Sequence, residues 1–252
     1  MNMKKAATCI MCLVFPSMLL PAVLRLLGHK VAWDARIGFS LVLTDRIFMG
    51  AGARIGHFSI VHVRRVVLRP GAYLGHMNFF NGPFSMALAS RAEIGNRNVM
   101  TRARHGVSYG PASLTLGELS KVTAGHRIDC TNSVRVGDFS TLAGAGIQIW
   151  THGYVHTNCG PERYRVDGCV RLGNNVNIGS RSIITGGVMI SDGIMVGVGT
   201  TVSKNLSEPG FYVSGALRML PEPADPETRT GMERIDDPGL IETVYRKRDA
   251  GA

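Results

Sequence analysis

The residues of this 252-residue chain best suited to chemistry are its histidines, together with a scatter of arginines. The run IWTHGYVH places His152 and His156 at the start of a polar stretch, 153–169. An imidazole with a reference pKa near ~6.5 can take a proton from a hydroxyl nucleophile at neutral pH. His152 can play that part if a nearby carbonyl or carboxylate holds its other ring nitrogen and fixes the tautomer. His126, in TAGHRIDC, reads as a satisfied structural histidine. Asp129 and Asn132 follow on the same segment and are candidates to hold the hydroxyls of a bound substrate, and His156 stands four residues beyond His152 as a weaker candidate for the same contacts. His57 and His62 are five apart and His76 follows, a spacing that could bring three imidazoles to a zinc ion. They fall in an irregular part of the sequence without supporting side chains, so no metal is expected. Cys9 and Cys12 form a C-x-x-C inside an apolar run, with no second pair. The 5 cysteines are odd in number and irregularly spaced, which argues against a disulfide framework and for a reducing cytoplasm.

The elements that must position these residues are announced by composition. Apolar residues make up 45% and charged residues 18%, which excludes a largely disordered chain. The 31 glycines without a collagen period imply many regularly placed turns. The formal charge of +10 is carried by residues 1–220, whereas 221–252 have more acids than bases. Such a basic body suits anionic partners. Nucleic acid is not among them: the arginines are dispersed without aromatic interleaving, and no recognition motif appears.

The strongest signal is a repeat. From Leu172 an aliphatic residue recurs every six positions: Leu172, Ile178, Ile184, Ile190, Val196 and Val202. Four positions after each stands a small or aliphatic residue, from Val176 through Ser182 to Leu206. Frayed earlier units include Ile37-Gly38, Ile55-Gly56, Leu74-Gly75, Ile94-Gly95 and Val136-Gly137. Alternation puts the first and fifth residues of a unit on one face of a short strand. The following glycine is expected to turn a corner at positive φ. Three sides then make a coil of about 18 residues, and coils stack at roughly 4.8 Å, each burying its neighbour's apolar face. A β-sandwich would space its strands at about 8–12 residues.

Residues 80–92 and 103–113 read as degenerate coils or short loops, and 153–169 as a longer polar interruption. Residues 6–27 are strongly apolar, but Pro16 and Pro21 break them and Arg25 ends them. No piece reaches the ~20 residues a span needs. The expectation is an N-terminal helical segment over 1–35 that caps the repeat domain or lies at a membrane interface. The repeat domain occupies 36–220, and 221–252 form a C-terminal tail with a short helix over IETVYRKR.

The runs IWTHGYVH and RLGNNVNIGSRSIITGGVMISDGIMVGVGTTVSK resemble the hexapeptide-repeat acyltransferases, notably galactoside-type and polysaccharide-type O-acetyltransferases. The likeness is tight over about 136–218 and loose over 30–135. It implies an all-β, left-handed parallel β-helix; the period alone does not fix the hand. It also implies transfer of an acetyl group from acetyl-coenzyme A to a hydroxyl of a sugar or a polysaccharide or lipopolysaccharide precursor. His152 is then the base. Carried over position by position, Ser180, Val198, Ser203, Lys204 and Arg218 contact the coenzyme, the last two at its phosphates. The resemblance further implies a homotrimer with each cofactor groove between two subunits. Two positions depart from the family pattern. Asn177 stands where a tryptophan is common, and Ser214-Gly215-Ala216-Leu217 replaces the usual A-G-x-P-A. The competing readings are a zinc enzyme like the β-helix carbonic anhydrases and a non-catalytic scaffold.

Overall fold

The computed structural model describes residues 3–104, 106–157, 161–215, 227, 229–240 and 243–248. Their strands wind into a left-handed parallel β-helix of three sides. One side is a nine-stranded parallel sheet running from Arg36–Ile37 to Phe211–Tyr212. A 14-stranded sheet supplies the other two, because the long strands Leu41–Met49 and Ile60–Leu68 bend round a corner and belong to both. The register gives the coil length directly. Arg36 pairs with Arg54, Asn177 with Met195 and Ile183 with Thr201, each 18 positions on.

The six-residue rhythm lines the interior. Leu172, Ile178, Ile184 and Ile190 are all nearly inaccessible, as are Val176, Ser182, Val188 and Ile194 four positions on. Ser182 tolerates this burial because its hydroxyl donates to the Gly197 carbonyl at 3.0 Å and accepts the Thr200 N–H.

The glycine after each aliphatic residue does a different job from the one expected. Gly56 and Gly75 do not have positive φ; Phe58 and Met77, two positions later, do, at 59° and 55°. What the glycine provides is close approach between coils. A Cβ on Gly56 would lie 2.7 Å from the Gly75 carbonyl, nearer than packed atoms come. The corner conformation itself falls two positions later, to glycines such as Gly187, Gly193 and Gly199 in some coils and to ordinary residues such as Phe58, Met77 and Arg181 in others.

Two insertions interrupt the winding. Glu93 pairs with Lys121, 28 positions on, because a loop following Arg102 is extruded. Residues 80–92, by contrast, are regular coil, with strands Phe79–Asn81 and Ser85–Leu88. Thr141 pairs with Asn177, 36 positions on, because the chain leaves the coil as a hairpin, His152–His156 antiparallel to Arg163–Asp167. The C-terminal region does not form the expected helix over 241–248. Val244–Lys247 is a strand that pairs parallel to Arg163–Asp167, and Met232–Arg234 adds antiparallel beyond it. The β-branched and aromatic residues Thr243, Val244 and Tyr245 favour a strand, and the hairpin offers an open edge.

At the other end, α1 (Met3–Val14) and α2 (Leu20–Leu26) close the first coils, with Cys12, Leu20 and Leu24 joining the continuous core. No helix among the described residues is long and apolar enough to cross a membrane.

Candidate active site

The site forms where the hairpin leaves the coil. The strand ladders run Asn81–Thr101–Asp129 across the second side, so Asp129 stands at the edge where that side ends. Gln148–Ile149 is the next strand, and the chain after it passes through Trp150 and Thr151 into His152. This brings Asp129 Oδ2 to 2.8 Å from His152 Nδ1 across 23 positions of sequence.

The carboxylate is buried and fully engaged. Its Oδ1 accepts from the Thr131 N–H at 3.1 Å and the Thr131 hydroxyl at 2.8 Å. Its Oδ2 accepts from the Thr151 N–H at 3.0 Å and the Thr151 hydroxyl at 2.5 Å, besides the imidazole. Burial alone would raise the Asp129 pKa. The hydrogen bonds from His152, Thr151 and Thr131 outweigh it and hold the group below its ordinary value. The hydrogen bond that Nδ1 donates to Asp129 raises the pKa of His152 against the opposing effect of burial. An ionised carboxylate at Nδ1 requires that nitrogen to carry the proton, which leaves Nε2 free to accept one.

The imidazole is about one-quarter exposed and is held edge-on between Trp150 and Tyr154, with ring centroids at 6.4 and 6.0 Å. Trp150 is fixed by its indole N–H, which donates to Gln148 Oε1 at 2.9 Å. Arg163 lies over the Tyr154 ring at 4.8 Å. The hairpin is anchored beneath by a buried bidentate pair. Arg165 Nε donates to Asp167 Oδ1 at 2.8 Å and another guanidinium nitrogen to Oδ2 at 3.1 Å. Arg165 also donates to the Val107 carbonyl of the extruded loop, so loop and hairpin brace one another.

Asp129, expected among the acceptor contacts, has both its oxygens hydrogen-bonded within the protein. Asn132 also turns inward. Its Oδ1 accepts from the Ser133 N–H at 2.7 Å and from the Cys169 thiol at 3.1 Å. His156 is exposed, four residues further out on the strand of His152 and paired with Arg163. His126 is buried, its Nδ1 accepting the Ile147 N–H and its Nε2 facing the Thr123 hydroxyl. Ser180 and Val198 stack on consecutive coils at the corner before the second side, since Asn177–Ile178 pairs with Met195–Val196. Val198 is exposed. Ser203 and Lys204 are exposed just past Thr201–Val202, at the far edge of that side. Arg218 lies outside the described residues.

His57 and His76 stack at 5.6 Å, and the Nδ1 of each accepts a backbone N–H. His62 sits on a different side, hydrogen-bonded to Asn81. Among the described residues no three His, Cys, Asp or Glu side chains converge as a metal site requires.

No protein-family model matches the chain, and no curated protein matches it in sequence. Solved structures do match in fold. The polysialic acid O-acetyltransferase OatWY is 18% identical with a TM-score of 0.50, covering 77% of this chain and 84% of its own. The polySia-specific acetyltransferase NeuO is 13% identical with a TM-score of 0.43, covering 80% of this chain and 91% of its own. AntD, an N-acyltransferase from Bacillus cereus solved with dTDP and 3-hydroxybutyryl-CoA, is 17% identical with a TM-score of 0.35, covering 82% and 90%. The likeness to OatWY establishes a common fold.

Proposed function

We propose that this protein is an acyltransferase that moves an acetyl group from acetyl-coenzyme A to a hydroxyl of a saccharide. The observation that carries the reading is the pairing of His152 Nδ1 with the buried Asp129 at 2.8 Å, beside a β-helix edge. In this reading the acceptor hydroxyl lies against His152 Nε2. As its oxygen attacks the thioester carbon, Nε2 takes the proton and Asp129 stabilises the imidazolium. When the carbon–sulfur bond breaks, the imidazolium returns that proton to the departing thiolate. The products are the acetyl ester and free coenzyme A.

The donor is assigned to the C-terminal coils. Ser180 and Val198 lie 18 positions apart on stacked turns, as an extended pantetheine arm along the coil axis requires. In this reading Lys204, beyond them, meets a phosphate, with Arg218 as a second cation. A homotrimer is part of the proposal, each groove being completed by a neighbouring subunit. So is contact of 6–27 with the inner face of a membrane, which the exposed Ile10, Val14, Met18 and Leu26 support.

The test is acceptor-dependent thiol release from acetyl-coenzyme A, followed by mass spectrometry of the acceptor. His152→Ala should lose about 10²–10⁴-fold of the rate, the usual contribution of a positioned general base. Full activity in that variant would remove His152 from its role.

A further inference from the structure

A second concave site lies on the same side of the β-helix, toward the N-terminus. It is a pocket of about 380 Å³ lined by Arg64, Arg102, Arg104, His62 and Asn81, with Lys5 and Asp45 at its rim. Its charge is not balanced from within. Lys5 and Asp45 satisfy each other at 3.2 Å. Arg64 and Arg104 are exposed and have no carboxylate partner among the described residues.

Arg102 forms the floor. It is buried, and its guanidinium donates to the carbonyls of Pro83, Tyr109, Gly110 and Thr131 at 2.6–3.3 Å. It thereby adds a fixed positive charge beneath the pocket. Its pKa is lowered first by burial and then by the neighbouring charge of Arg64.

The register connects this pocket to the candidate active site. His62 pairs with Asn81, Asn81 with Thr101, and Thr101 with Asp129. These positions alternate with the core residues Val61, Phe80, Met100 and Ile128, so all four point away from the coil interior in one line, Asp129 being buried under the hairpin. Asn81 is two strands from Asp129, about 10 Å at the spacing between strands. Thr131, whose carbonyl accepts from Arg102, also holds Asp129 through its own hydroxyl. The proposed donor positions lie on the other side of His152, toward the C-terminus. The imidazole therefore stands between a donor half and a basic half.

We propose that the Arg64–Arg104 pocket binds the acidic group, carboxylate or phosphate, of an extended anionic glycan whose hydroxyl is the acyl acceptor. The inference rests on the acyl-transfer reading only for what happens at His152; binding in the pocket is measurable without turnover. Guanidinium groups match both oxyanions by paired N–H donors, and His62 and Asn81 add polar contacts. A neutral sugar can accept hydrogen bonds from the two arginines but cannot compensate their charge.

The experiment titrates the full-length protein with a hexamer of galacturonic acid, its uncharged methyl ester and a 6-phosphorylated oligomannose. Wild type, His152→Ala and Arg64→Gln/Arg104→Gln are compared by calorimetry at low and moderate salt. Wild type and His152→Ala should bind an acidic probe about tenfold or more tighter than the ester. The double variant should lose that preference, and added salt should weaken it. Preference for the uronate or for the phosphate identifies which oxyanion the site takes. Equal binding of acid and ester, no binding of either acidic probe, or an unchanged preference in the double variant would each overturn the proposal. Thiol release is measured in parallel. Acid-selective binding without acyl transfer to any probe would count against the acyl-transfer reading and leave the pocket standing.

Discussion

Three of the histidines show how neighbours decide an imidazole's charge. His29 is buried under α1, with Nδ1 accepting the Ile47 N–H and Nε2 facing the Thr8 hydroxyl. Burial, then the nearby charge of Lys4, lowers its pKa to about 4. Burial does the same to His126, also to about 4, against a backbone hydrogen bond that raises it. A depressed folded-state value means that the unfolded chain binds the proton first. The stability these two residues contribute is present above about 6.5 and is lost as pH falls toward 4. His152 has the opposite sign. Its raised value means that its contribution is full below about 6.5 and is lost as pH rises through the folded value. Asp129 contributes above its ordinary carboxylate value and loses that only as pH falls through its depressed one. The net expectation is acid destabilisation between about pH 6.5 and 4. Urea midpoints across that range should fall for wild type and fall less for His29→Asn. Equal slopes would contradict the assignment of His29 as a buried neutral group.

At the scale of elements, the hairpin holds the imidazole, and its hold is electrostatic as well as apolar. The Arg165 and Asp167 side chains are 1% and 0% exposed. Replacing one partner leaves a buried charge without compensation, at a cost of about 3–5 kcal/mol, whereas an apolar replacement of both can be near neutral. Arg165→Met should therefore destabilise by that order in chemical denaturation, and Arg165→Met/Asp167→Leu should recover much of the loss. A single variant as stable as wild type would show that the pair is dispensable. The coils themselves were legible in the sequence because their signal is local: Ile178, Ile184 and Ile190 report the period without any knowledge of partners. The hairpin was visible only as a polar interruption. Its pairing with Val244–Lys247 joins residues about 80 apart, and no local pattern encodes such a contact. Asp129 was visible as a residue but not in its role. That role depends on coil register, which the extruded loop and the irregular earlier coils obscure. The missed positioning residues Thr131 and Thr151 flank Asp129 and His152, and a carboxylate sought one coil before a histidine would have found them.

At the scale of the molecule, the β-helix is a ruler. Each coil moves a side chain by about one strand spacing. The proposed donor positions thus lie on coils C-terminal to the imidazole, and the basic pocket on coils N-terminal to it. The proposed trimer completes each groove with a neighbouring subunit. Sedimentation or light scattering should give three times the 27.2 kDa chain mass. A monomer at working concentration would require every contact to substrate to come from one chain. The fold is shared with OatWY, and the proposed chemistry depends on the dyad.

The most direct test of that dyad is the pH dependence of kcat/KM for acceptor-dependent thiol release, in wild type and in Asp129→Asn. For wild type the rate should rise with pH through an apparent pKa above the ordinary histidine value and then level off, as neutral His152 becomes available. In Asp129→Asn the limb should move to lower pH, because the group that raises the imidazole is gone. The plateau should drop by about 10²–10⁴-fold, since the tautomer is no longer fixed. An unchanged limb and plateau in the variant would show that Asp129 does not set the state of the base, and would contradict the mechanism.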